Sequence, residues 1–183
     1  MNNKLLKYAN IFIYSIYLVS CIFFIFKKDF FSLFITTGCI IGTFILSIIN
    51  KKYNKFLDNK LYIGIVVFII MSALFGTCYD FYNIKYYDDF LHFISGGLSC
   101  VISWYIFNYF EIESKKKLLF LAIFAFMFNM GVASLWEIIE FLLDRFIGTH
   151  TQVGGLSDTV IDMIDALIGS IITIPFIIKY SKK

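Results

Sequence analysis

The sequence predicts an all-α, polytopic membrane protein with six transmembrane helices and both termini in the cytoplasm. Three observations carry that expectation. The 183 residues are 60% hydrophobic and only 16% charged, against about 45–50% apolar in an ordinary soluble domain. The mean hydropathy is +0.80. The apolar residues fall into six runs with polar boundaries, at 8–26, 30–49, 61–79, 90–109, 118–143 and 158–180. Each reaches the roughly 20 residues that span a bilayer as a helix. A single membrane domain over 1–183 is expected, without room for a sizeable soluble appendage.

The lysines set the expected orientation. Twelve basic residues (Lys4, Lys7, Lys51, Lys52, Lys55, Lys60, Lys115, Lys116, Lys117, Lys179, Lys182 and Lys183) lie at the termini and in the second and fourth loops. Four (Lys27, Lys28, Lys85 and Arg145) lie on the opposite side. The positive-inside rule therefore puts both termini in the cytoplasm. The abundance of Ile, Phe, Asn, Lys and Tyr fits an AT-rich bacterial genome, and so a bacterial cell membrane.

The first run follows Lys4 and Lys7 and contains Leu18-Val19-Ser20-Cys21, which has the look of a lipidation signal. The apolar stretch continues through Ile22-Phe23-Phe24-Ile25-Phe26, so an uncleaved helix is expected. The first two runs carry little polar chemistry beyond Ser, Thr, Cys and Tyr, and read as scaffold. The third ends at Tyr79-Asp80, and Tyr79, Tyr82, Tyr86 and Tyr87 suggest an interfacial belt. The four cysteines, Cys21, Cys39, Cys78 and Cys100, have no metal-ligand spacing and read as small buried residues.

The fourth run opens Asp88-Asp89-Phe90-Leu91-His92, with Ser95, Gly96, Ser99 and Ser103 continuing one side as a packing seam. The fifth ends Trp136-Glu137-Ile138-Ile139-Glu140, and Asp144 is expected to close that helix in water. Glu137 and Glu140 share a face at i, i+3. The sixth carries Asp158, Asp162 and Asp165 at i, i+4 and i+7, with Gly169 on the same stripe, where it lets another backbone approach. Ser157 or Asp158 is the expected N-cap, and Pro175 is expected to bend or end the helix.

Ionisable residues inside a membrane span are costly and mark function by default. Under the expected topology the fourth and sixth helices start outside and the fifth finishes there. Asp89, His92, Glu137, Glu140, Asp158, Asp162 and Asp165 then share one level, and the three helices are expected to converge. Carboxylates with one histidine suit a hard divalent cation such as magnesium, manganese or calcium, with His92, Glu137, Glu140 and Asp162 as the ligands. Zinc fits less well with a single histidine in the spans, since His150 lies in a loop. Without a cation such carboxylates cannot all carry charge, and one would serve as a general acid or proton carrier.

Three functional classes stay open: an enzyme acting on a lipid or lipid-linked substrate in the outer leaflet, an ion- or proton-coupled carrier, and a structural polar network. Gly-x-Ser-x-Gly, His-Glu-x-x-His and P-loop motifs are absent. No basic face suggests nucleic acid. The expected partner is membrane lipid. The glycine-containing loop 145–157 reads as a surface turn ahead of a lid.

Asp88-Asp89-Phe90-Leu91-His92-Phe93-Ile94-Ser95-Gly96, Trp136-Glu137-Ile138-Ile139-Glu140-Phe141, Gln152 and Asp158-Thr159-Val160-Ile161-Asp162 together resemble the YjdF-like bacterial membrane proteins. More distantly, the chain is similar to the VanZ-like family, which shares an Asp–His–Phe helix, a Glu-led helix and an Asp–Gly helix. Some VanZ-like members are associated with glycopeptide (teicoplanin) resistance, which implies a role at the cell envelope. The resemblance covers about half the chain, from the third loop onward. Glu140 replaces an expected glutamine, and Ala166 with Asp165 beside it replaces an expected asparagine, so this site is the more acidic.

Overall fold

A computed structural model describes residues 3–53, 57–110, 116–149, 151–152 and 154–182. Its regular elements are all helical: α1 (Asn3–Lys27), α2 (Phe30–Lys52), α3 (Asn59–Ile69) running on as a π-helix (Ile70–Cys78), a 3-10 turn (Phe81–Asn83), α4 (Tyr87–Tyr109), α5 (Lys117–Phe146) and α6 (Leu156–Ser181). Among the described residues, six helices, counting α3 with its π extension as one, are long and apolar enough to cross a membrane. They overrun the apolar runs by a few residues because helical hydrogen bonding continues through the polar flanks. The chain divides into two compact units, Met1–Tyr87 and Asp88–Lys183.

In the first unit, a two-residue turn at Lys28 and Asp29 joins α1 to α2 and makes them antiparallel neighbours. Lys28 takes the left-handed φ of 57°. The Asp29 carboxylate then accepts from the Ser32 backbone N–H at 3.0 Å and the Ser32 hydroxyl at 2.7 Å, capping α2.

The buried face of α2 is its polar one. Ser32, Thr36, Cys39, Thr43 and Asn50 follow one another at helical spacing and are all buried. Phe30, Phe31 and Phe34 are exposed at 62–74%. That is the reverse of a soluble helix, and it follows from a lipid solvent. Apolar side chains gain nothing by leaving acyl chains, so small and hydrogen-bonding residues make the helix contacts. Tyr17 and Thr43 share a hydroxyl–hydroxyl bond of 3.0 Å, Tyr62 donates to Asn10 at 2.9 Å, and Asn50 donates to the Leu57 carbonyl at 2.7 Å.

The third span was expected as a plain helix over 61–79, but its second half widens to π geometry. The Tyr82 ring lies against Gly76, where a β-carbon would overlap it. The Tyr87 hydroxyl donates to the Met71 carbonyl at 2.8 Å, giving that backbone an extra partner. The tyrosines of this loop are therefore divided. Tyr79 stacks with Phe23 and donates to Ser20 at 3.0 Å, and Tyr87 is half-buried. Tyr82 packs its ring on Gly76 and against Tyr87 with one edge exposed, and Tyr86 is exposed.

In the second unit, Cys100 and Phe107 of α4, Leu121 and Ala125 of α5 and Ile177 of α6 form one buried cluster, flanked by Trp104, Phe124 and Ile174. The Trp104 indole donates to the Ser181 hydroxyl at 2.6 Å. Higher up, α4 and α6 meet backbone to backbone. A methyl group on Gly96 would overlap the Ala166 carbonyl, and one on Gly169 would overlap the Phe93 carbonyl. Asn129 of α5 donates to the same Ala166 oxygen at 3.1 Å, so three helices meet at one carbonyl.

One local expectation is corrected, and of the two roles expected for Pro175 one is set aside. The N-cap of α6 is Gly155 (φ 62°), not Ser157 or Asp158, because the chain enters through a conformation that glycine adopts without strain. Asp158 instead lies in the first turn, where the helix dipole favours a negative charge. Pro175 does not end α6, which continues to Ser181.

Candidate functional site

The site is built where the Gly96 and Gly169 contacts pull α4 against α6. Asp88 and Asp89 stand in the first turn of α4, where acidic groups are favoured, and His92 follows one turn on. His92 is 7% exposed and Asp162 2%. The imidazole Nε2 lies 3.5 Å from Asp88 Oδ1 on its own helix and 3.9 Å from Asp162 Oδ1 on α6. The histidine thus stands between two carboxylates on different helices.

Asp162 is shared by two groups of potential ligands. Asp88, His92 and Asp162 form one; Asp89, Asp162 and Asp165 form the other. Within each group, one ligand atom per residue lies within 4.8 Å of the others. Oxygen ligands at about 2.1–2.5 Å from a cation stand at most about 4–5 Å apart, so the spacing suits magnesium, manganese or calcium.

Of the residues expected to ligate, His92 and Asp162 fall in one group, and Glu137 and Glu140 in neither. Asp88 was not among the expected site residues, although its i, i+4 spacing from His92 was visible. Glu140 turns along its own helix and accepts from the Trp136 indole at 3.0 Å. Glu137 is 5% exposed and turns to the loop. Gln152 Nε2 lies 3.3 Å from the Glu137 carbonyl, 3.5 Å from its Oε2 and 3.0 Å from the Thr159 hydroxyl of α6. Glu137 Oε1 is buried without a hydrogen-bond partner among the described residues. Asp158 is half-buried with its carboxylate beside Gly154, and Asp165 is half-buried in the second ligand group.

Asp144 does more than close α5. One of its oxygens accepts from the Thr149 hydroxyl at 2.6 Å and from the Thr151 N–H and hydroxyl at 2.8 Å each. The other accepts from the Gln152 N–H at 2.9 Å. One carboxylate therefore folds the described part of the loop and delivers Gln152 to Glu137. His150 lies outside the described residues. Asn129 and Gln152 are the further polar groups that organise this end of the unit. A lone amide inside an apolar run was the available signal for Asn129.

A family model described as "Predicted membrane protein (DUF2238)" matches residues 9–183. An uncharacterized protein of Thermotoga maritima is 29% identical over 107 residues, 55% of this chain and 53% of that relative, so the match spans about half of its length. No solved structure matches. The YjdF-like name fits this family loosely, and the similarity to VanZ-like proteins is not shown by these relatives. Six spanning helices and a match over nearly the whole sequence lead to one conclusion: the chain belongs to the DUF2238 family of predicted membrane proteins.

Proposed function

We propose that this protein binds a divalent cation between α4 and α6 and uses it to bind or act on a lipid-linked ligand of the bacterial envelope. The observation that carries this reading is Asp162, buried inside a membrane-grade helix and common to both ligand groups. A buried carboxylate surrounded by other carboxylates needs a compensating charge, and the spacing fits an oxygen-liganded cation. His92 would supply the nitrogen ligand and Asp88, Asp89 and Asp165 further oxygens. Glu137, with one buried oxygen lacking a partner among the described residues, supports a demand for positive charge nearby. The lysine distribution supports an opening toward the extracytoplasmic half of the bilayer.

A second reading has its own observation. His92 already approaches Asp88 and Asp162 at ion-pair distance, so a protonated imidazole could compensate them as a structural network. Thermal unfolding of the detergent-purified protein separates the two, with chelator or with magnesium, manganese, calcium or zinc, for wild type and Asp162→Asn. Cation binding predicts that one metal raises the midpoint of the wild type and leaves the variant unmoved. No metal response, together with a variant that melts much earlier, would leave the network reading in place. An ion-coupled carrier would instead show gradient-driven uptake into sealed vesicles that Asp162→Asn abolishes.

A further inference from the structure

A second site lies in the N-terminal unit, far in sequence from the acidic one. A cleft of about 800 Å³ opens along α1 beside the end of α2 and the start of α3. Its polar end holds Lys7 and Lys51 with Asn10, and its apolar wall runs down α1 through Ile11, Tyr14 and Leu18. No carboxylate is among its described lining residues. We infer that this cleft binds an anionic phospholipid, with the head-group phosphate between Lys7 and Lys51 and one acyl chain along Ile11, Tyr14 and Leu18.

Charge, length and volume each point to that occupant. α1 and α2 are antiparallel, so the first turns of α1 and the last turn of α2 bring Lys7 and Lys51 to the same membrane level. Basic pockets between transmembrane helices at the membrane surface select anionic head groups. From Lys7 to Leu18 the helix rises about 16 Å, roughly half of a ~30 Å hydrocarbon core, which is the depth of one leaflet. The wall therefore matches one acyl chain entering from the lysine-bearing face. Ile11 and Leu18 are 54% and 61% exposed, so the wall is open to lipid and not filled by protein. The volume lies in the range of about 300–1,000 Å³ usual for ligand clefts, enough for a head group and the upper part of one chain.

The test is native mass spectrometry of the full-length protein in neutral detergent, titrated with phosphatidylglycerol or phosphatidylcholine. Phosphatidylglycerol should be retained in preference to phosphatidylcholine, and inorganic phosphate should not displace it. Lys7→Ala with Lys51→Ala should weaken retention by at least about tenfold, since each surface lysine near an anionic lipid contributes about fivefold. Ile11→Trp, which fills the apolar wall without changing charge, should also reduce it. Lys27→Ala with Lys28→Ala, at the other end of α1, should leave it unchanged. Equal retention of the two lipids, displacement by phosphate, or equal losses in both lysine pairs would overturn the assignment.

Discussion

Asp162 and His92 are each more than nine-tenths buried, in helices whose outward positions carry large apolar side chains. A polar pair in that setting is coupled: removing His92 leaves Asp162 desolvated without its imidazole, and removing the Asp162 charge leaves His92 with Asp88 alone. A double-mutant cycle with Asp162→Asn and His92→Asn, read by reversible unfolding, should give an interaction energy of about 0.5–3 kcal/mol, the range for residues in contact. Simple additivity would mean that the 3.9 Å approach has no energetic weight. Gln152 makes a second test. Gln152→Ala removes a donor from both Glu137 and Thr159, while Glu137 Oε1 is already without a partner among the described residues. The expected loss is about 1–3 kcal/mol. An unchanged unfolding midpoint would show that the loop does not hold Glu137.

Among the helices, the glycines fall into two kinds, and the close-approach role expected for Gly96 and Gly169 is met by backbone on the facing helix. Gly96→Ala and Gly169→Ala would drive a methyl group into a carbonyl of the facing helix. Backbone atoms cannot yield as a flexible side chain can, so each substitution should destabilise by about 1–3 kcal/mol or more. Gly38→Ala and Gly42→Ala meet open space on α2 and should be neutral or stabilising by up to about 1 kcal/mol. Equal effects in both pairs would contradict the α4–α6 contact. The α1–α2 turn gives a pH test. The Ser32 N–H and then its hydroxyl hold the Asp29 carboxyl below the ordinary carboxylate range, helped less by Lys27. A depressed folded-state value adds stability that is fully present above the unfolded carboxylate pKa, and is lost as pH falls through the folded value. The difference in unfolding midpoint between wild type and Asp29→Asn should therefore shrink on acidification, and a constant difference would remove the cap from the account.

For the whole molecule, six crossings predict the two termini on one face, and the lysine distribution predicts that this face is the cytoplasmic one. Reporter fusions at the N-terminus, the C-terminus and Gly148 should report cytoplasmic, cytoplasmic and extracytoplasmic locations. Termini on opposite faces would mean that one helix does not cross. Exposed Phe12, Phe26, Phe30 and Phe34 in the first unit, and Phe146 and Phe176 in the second, are a liability in water but ordinary against acyl chains.

The sequence by itself determined the number and approximate extent of the helices, because lipid solvent demands some twenty apolar residues per crossing and every backbone group satisfied within the helix. It also determined which segments carry buried ionisable groups, since His92, Glu137 and Asp162 stand out in apolar runs. Their grouping was only half legible. Helical spacing tells which side chains share a face, and so it suggested Glu137 and Glu140 as a pair. It cannot tell which face turns to which neighbour, or which side chain is claimed first by a local partner. Trp136 claims Glu140, the loop folded on Asp144 claims Glu137, and the Gly96 and Gly169 contacts bring Asp88, Asp89 and His92 to Asp162. The π segment after Ile69 and the choice of Gly155 as cap were likewise decided by tertiary contacts and backbone entry angle, which no residue type announces. Only the packing of three helices around the Ala166 carbonyl could decide which carboxylates meet, because that contact joins residues 96, 129 and 166.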